Sequence, residues 1–326
     1  MFGMIGLYIF EIVLACILAY CLYHLNKIIC KNGYVACFLL FAQLVLLKPY
    51  IAVRAQMISF IVFVIELILL EKYSVLQKKR YFIGLLILPL VLANFHMGVV
   101  PFYFILLGVY GIGCFKINLG RIEGAKEFNK KCFKGLIIIG IISLFTIFLN
   151  PYFVDGVLYP FKTFSNEFIN GNIQEFQPFN LDTGYEVLSF IYAVCILIMH
   201  AAQNRKLRLM DLLLILGTIY MSFTAIRYIS LFIICSAVMF RYLPGLTENG
   251  SFDFKGLICD FDKKIIKYSM GVFVFILSIS LFVSIPANFN LTITSYLNLP
   301  IINILSIVLS FNISKSTSHN QDKSLN

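Results

Sequence analysis

Residues 2–25 read FGMIGLYIFEIVLACILAYCLYHL, an apolar run with a single formal charge, Glu11. Wound as an α-helix at about 1.5 Å per residue, such a run crosses the roughly 30 Å of a bilayer's hydrocarbon. It lacks a basic leading segment and a small-residue cleavage site, so it reads as a retained helix and not as a removed signal peptide. Apolar runs recur outward from it at 34–47, 57–70, 82–95, 97–115, 135–149, 186–201, 210–223, 226–240 and 268–287. No alternation of apolar and polar residues points to a transmembrane barrel, and no internal repeat is visible. The expected fold class is therefore all-α, a polytopic helical membrane protein with about ten transmembrane helices. The bundle should occupy residues 1–287, with one long outer loop at about 150–185. A C-terminal apolar segment, Leu297 to Ile313, and a polar tail fill residues 288–326.

Composition agrees with that reading. Of 326 residues, 60% are apolar and 13% charged, where a soluble domain carries about 25% charged residues. The net charge of +10 does not indicate nucleic acid, because the cations alternate along the chain. Twenty Lys and Arg fall on one set of connections, among them Lys78, Lys79, Arg80, Lys126, Arg208 and Lys264. The other set holds four: Lys48, Arg54, Lys162 and Arg227. Basic residues are retained on the cytoplasmic side. The expected localisation is thus a multi-pass cell-membrane protein with its N-terminus outside and its basic loops cytoplasmic. Nine scattered cysteines form no C-x-x-C pair and no metal-ligand spacing, so no metal site and no cofactor is identified.

The outer connections are poor in charge, and their remaining polar groups stand out. They are Arg54 in Lys48–Gln56, Asn94 and His96 in Ala93–Gly98, Asn150 before Pro151, and Arg227 in Ala225–Tyr228. Each has a plain explanation: arginines snorkel to headgroups, a His satisfies a tight turn, and Asn-Pro stops a helix. Four separate connections contributing such groups to one face nevertheless predict a polar pocket, with Arg54, His96 and Arg227 available to a phosphate. Asp155 and Glu175, on the long loop, would face it from above. Glu66, one turn from Glu71, is expected to snorkel towards the inner surface. Glu11 lies deeper and is expected to be protonated or hydrogen-bonded between helices.

These outer segments resemble those of bacterial multi-spanning proteins of the GT-C glycosyltransferase superfamily, lipid-linked sugar transferases. That group carries R-P-x-x-F-S, W-x-N-x-H-G-G, N-P-Y-G followed by Y-P-F, E-W-x-P and a late R-x-I-x-L-F. Here the corresponding residues are Arg54–Ser59, Leu92–Gly98, Asn150–Tyr152, Tyr159–Phe161, Glu175–Pro178 and Arg227–Phe232, in the same order over more than half the chain. The departures are Ala55 for Pro, Leu92 and Phe176 for the two Trp, and Met97 for the first Gly. With no Trp in the chain, a sugar-stacking role at those positions passes to Phe176. The resemblance implies transfer of a sugar from a polyprenyl-phosphate donor at the outer membrane face, with membrane lipids as the surroundings. Arg54, His96, Arg227, Asn94 and Asn150 would bind the phosphate and the substrate. A divalent metal is compatible with that chemistry, although no residue pattern supports one.

In the resembled group an acidic residue lies in a first outer loop, between the first two helices. The N-terminal run here resembles that group's second span, so the acidic loop would precede Met1. The expectation is a chain without its catalytic base, in which Glu175 and Asp155 are the fallback carboxylates. The rival expectations are a carrier or flippase of an anionic lipid-linked substrate, and an inactive remnant.

Overall fold

The computed structural model describes residues 3–52, 54–164, 173–181, 183–202 and 206–243. Contacts divide the chain into two units, Met1–Val272 and Phe273–Asn326, and every described residue belongs to the first. The expected span at 268–287, the stretch Leu297 to Ile313, the polar tail and the boundary after residue 287 lie outside the described residues.

The fold is all-α in its bulk, and nine of the ten expected apolar runs fall on helices. They are α1 (Gly3–Cys30), α2 (Gly33–Leu47), α3 (Ala55–Leu76), α4 (Lys79–Phe95), α5 (Val100–Ile112) and α6 (Lys130–Thr146). After α7 (Phe153–Phe164) follow α8 (Gly184–Ala202), α9 (Leu209–Thr224) and α10 (Ile229–Cys235), the last continued by a 3-10 helix, Ser236–Tyr242. Among the described residues, two helical segments, Gly6–Cys30 and Gly33–Tyr50, are long and apolar enough to cross a membrane. The stretch expected as an outer loop holds α7, because its Val157, Pro160 and Thr163 recur at helical spacing as its more covered face. A three-stranded sheet also forms: β1 (Asn118–Leu119) and β2 (Ile122–Glu123) make a hairpin, and β3 (Leu207–Arg208) pairs parallel to β2. Gly120, at φ +61°, turns the hairpin without a Cβ clash.

Local chemistry fixes the helix ends. Asn32 caps α2 by accepting from the Tyr34 and Val35 amides, and Asn129 caps α6 by accepting from Cys132. Pro89 inside α4 has no N–H to give the Leu85 carbonyl. The Tyr103 hydroxyl of α5 donates to that carbonyl instead, at 2.7 Å, and lies 3.2 Å from Ser143 Oγ of α6. A lost backbone bond thereby becomes a link among three helices.

The core runs along α3, which packs against α1, α4, α5 and α10. Leu14, Leu18, Leu22, Leu25 and Ile29 form the buried stripe of α1. Its other face is also apolar and exposed, with Ile9, Phe10, Ile12, Val13 and Ile17, where a helix in water would be polar.

At one end of α3, Glu71 joins a buried ionic cluster. Arg208 reaches it at 3.1 Å, Arg241 at 2.9 Å and the Tyr110 hydroxyl at 2.8 Å. Asp211 completes the cluster, accepting from Tyr242 at 2.7 Å and lying 3.4 Å from Arg241. Glu66 corrects the expectation of snorkelling: it is fully buried in mid-helix, with no hydrogen-bond partner for either carboxylate oxygen among the described residues. Glu11 is half-buried on the flank of α1.

Candidate functional site

The opposite end of α3 begins at Arg54, whose extended backbone (φ −139°) precedes the first helical turn. Ser59, one turn further, points its hydroxyl at His96 Nδ1, 2.8 Å away. His96 ends α4, so the contact ties the start of one helix to the end of its neighbour. Burial first, and then the charge of Arg227, lower the His96 pKa from its ordinary value. The ring therefore enters the site neutral at neutral pH.

Arg227 sits in the 3-10 turn Ile226–Tyr228 between α9 and α10. Its guanidinium stands over the ring of Phe176 at 4.6 Å and that of Tyr228 at 5.1 Å, contacts that orient a cation without neutralising it. The Phe176 segment is docked there through its backbone. Ile226 donates to the Gln177 carbonyl at 3.0 Å, and Phe179 donates to that of Phe223 at 3.2 Å. Glu175, beside Phe176, makes an ion pair with Arg54.

The structure brings Arg54, His96 and Arg227 into one cavity of about 230 Å³, with Glu175 at its wall and Phe63, Phe102 and Tyr228 among its apolar lining. Phe102 meets Phe63 and Tyr228 edge-on, which joins the three rings into one aromatic wall. Two cavities adjoin. One, of about 330 Å³, shares Arg54, Gln56, Glu175 and Arg227 and adds Tyr50 and Glu186. The other, of about 600 Å³, shares His96 and is lined by Asn94, Asn150, Tyr152, Asp155, Tyr159 and Lys162.

The remaining candidates separate from the arginines. Asn94 spends its amide nitrogen on the Leu90 and Leu149 carbonyls, at 2.9 and 3.1 Å. Asn150 donates to the Ile147 and Phe153 carbonyls and accepts from the Tyr152 amide. Both asparagines therefore build the turns that shape the larger cavity, with their side-chain N–H groups spent on backbone carbonyls. Asp155 lines that cavity away from Arg54 and pairs with Lys162 at 3.3 Å on an exposed helix face. No group of three or more metal-ligating side chains occurs among the described residues.

One group escaped the sequence reading. Only Glu175 and Asp155 stood as fallback carboxylates, and Glu186 is a third, anchored at a helix start. It lies in the first turn of α8, is 5% exposed, and lines the cavity that also contains both arginines. The T-x-x-E spacing of Thr183 and Glu186 was the signal, hidden at the start of an apolar run. Chemically, the site pairs two oriented guanidinium groups and a neutral imidazole with a recessed carboxylate. That set suits an anion on one side and a proton acceptor on the other. In comparisons with known proteins, no family model, curated protein or solved structure matches the chain.

Proposed function

We propose that this chain is a polytopic membrane protein whose Arg54 end faces outward, and that it is a GT-C-like glycosyltransferase. It would take a sugar from a polyprenyl-phosphate donor at the outer membrane surface. The observation that carries the reading is the convergence of Arg54, His96 and Arg227, from three distant parts of the sequence, on one cavity. The membrane assignment is supported by the two long apolar helices and by apolar side chains exposed on faces that no described residue covers, such as those of α1. The orientation rests on the distribution of Lys and Arg.

In this reading the guanidinium groups hold the phosphate as negative charge grows on it during departure of the sugar. The half-exposed Glu175 carboxylate, now on Arg54, occupies the place of that anion and gives way to it; an ion pair so exposed is worth only about 0–1 kcal/mol. The lipid chain would lie along the exposed apolar faces. Binding of a polyprenyl phosphate to the purified protein tests the reading. Arg54→Ala and Arg227→Ala should each weaken it at least tenfold, and unchanged affinity in both variants would remove its basis.

A carrier of the same anionic lipid is the second reading, favoured by one observation: the fully buried Glu66 in the middle of α3, without a partner among the described residues. Intramembrane carboxylates of this kind mark ion or proton pathways. Translocation of a fluorescent polyprenyl phosphate in vesicles, abolished by Glu66→Gln, would select the carrier. Glu66→Gln protein that retains full sugar transfer would select the transferase.

A further inference from the structure

We infer that Glu186 is the carboxylate that accepts the proton of the acceptor hydroxyl, and that the cavity of about 330 Å³ in front of it is the acceptor's binding place. The inference rests on the transferase reading above and supplies the group that reading lacks.

The carboxylate is held as a base must be held. Glu186 Oε2 accepts from the Thr183 amide at 3.1 Å, and the Glu186 amide donates back to Thr183 Oγ1 at 3.3 Å. This reciprocal pair is a capping box that fixes the side chain at the start of α8. Oε1 has no partner among the described residues. One oxygen is thus spent on position and the other remains for chemistry. Glu186 as a whole is 5% exposed and lines the cavity, so the cavity is where that oxygen is reached.

Its neighbours fit the same role. Tyr50 lines the cavity, with its hydroxyl donating to the Ile226 carbonyl at 3.3 Å. Arg54 and Arg227 line both this cavity and the one shared with His96. An anomeric carbon held at the junction would have the arginine-bound phosphate on one side and the acceptor oxygen on the other. That is the arrangement a displacement needs.

Other carboxylates fit less well. Glu175 is neutralised by Arg54 and half exposed, and Asp155 belongs to the other cavity and pairs with Lys162. Glu71 and Asp211 are bound by arginines at the far end of α3.

The step balances without any further reactant. The acceptor O–H proton passes to Glu186 as the acceptor oxygen bonds to the anomeric carbon. The bond from that carbon to the phosphate oxygen breaks, and its electron pair leaves on the phosphate, next to Arg54 and Arg227. Glu186 then returns the proton to water, and when water itself is the acceptor the same step releases free sugar.

Glu186→Gln is the decisive variant, because glutamine keeps the capping box and cannot take a proton. The protein is assayed with polyprenyl-phosphate hexoses, following release of sugar to water, while binding of polyprenyl phosphate is measured in parallel. The expected result is binding within threefold of wild type, turnover lowered roughly 10²-fold or more, and loss of the acid-side limb of the pH–rate profile. Thr183→Ala weakens the cap and leaves the carboxylate, so it should lose less than tenfold. Turnover of Glu186→Gln within threefold of wild type, or equal losses in the two variants, would overturn the assignment. Wild-type protein that binds polyprenyl phosphate through Arg54 yet releases no sugar would also overturn it. Absence of Arg54-dependent binding would instead strike the transferase reading itself, and the assignment with it.

Discussion

Arg54 and Arg227 lie on one cavity but are held differently, and that difference sets their expected behaviour. Arg54 is exposed and pairs with the Glu175 carboxylate, whereas the guanidinium of Arg227 stands over the rings of Phe176 and Tyr228. Replacing Arg54 by Lys keeps the charge and loses the planar fork that engages two oxygens at once. Affinity for a polyprenyl phosphate should drop about tenfold, near 1.4 kcal/mol, and an Arg54→Lys protein that binds like wild type would rule out a bidentate contact. His96 gives a prediction with a definite sign. Burial and Arg227 lower its pKa in the free protein, and a bound anion opposes both effects, so binding is accompanied by proton uptake. Affinity for a phosphodiester, whose own charge is constant, should therefore rise as pH falls from 7.5 to 6. In His96→Asn the slope should vanish, and titration at several pH values checks it. These three residues were legible in the sequence because basic and polar groups are scarce on that set of connections. Glu186 was not, since its role depends on which residues face it and its run reads simply as the start of an apolar helix.

The helices were the most legible feature, because apolar runs of this length have few other uses. What periodicity could not show is how helices with so little polar surface choose their neighbours. The α4–α5–α6 contact illustrates the answer: Pro89 withholds a hydrogen bond from Leu85, and Tyr103 supplies it from α5. Tyr103→Phe should thus cost about 1–3 kcal/mol, the penalty for an unsatisfied buried carbonyl. Pro89→Ala on its own restores a backbone N–H in competition with the tyrosine. In the double variant that N–H should satisfy Leu85, so the two changes together cost less than their sum. A cycle of thermal or denaturant stabilities measures the coupling, and strict additivity would mean that Tyr103 does not replace the missing bond. The helix α7 was illegible for the opposite reason. Its Gly156 and Pro160 read as loop residues, yet Gly156 is where the Asn150 side chain lies against the helix, and a Cβ there would collide with it. Gly156→Ala should displace Asn150 and disturb the wall of the larger cavity.

Across the whole molecule, the two ends of α3 differ in kind. At the Arg54 end the polar groups line open cavities. At the other end Glu71, Asp211, Arg208 and Arg241 are closed upon one another, joining residues 137 and 170 positions apart. No spacing rule reads such a network from sequence, although Arg208 and Arg241 both belong to the set of connections expected to be cytoplasmic. The asymmetry has a thermodynamic consequence, since removing one partner of a buried cluster strands the others. Glu71→Ala should cost about 3–5 kcal/mol, with Asp211 left as the single carboxylate facing two buried arginines, while Glu175→Ala at the open end should cost under 1 kcal/mol. The same asymmetry accords with the proposed orientation, in which the open end meets substrate outside and the closed end lies among the basic cytoplasmic connections. Lys126, in the exposed loop near β2, and Tyr152, ahead of α7, stand on opposite sides in that orientation. Both are exposed, so a single cysteine at either site in a background without the nine native cysteines is open to an impermeant thiol reagent. In whole cells Tyr152→Cys should label and Lys126→Cys should not, until the membrane is permeabilised. The reverse pattern would place the arginine cavities in the cytoplasm, out of reach of a donor presented on the outer face. The anion site would then need a soluble or inner-face ligand. Equal labelling of both sites would deny that a membrane separates them at all.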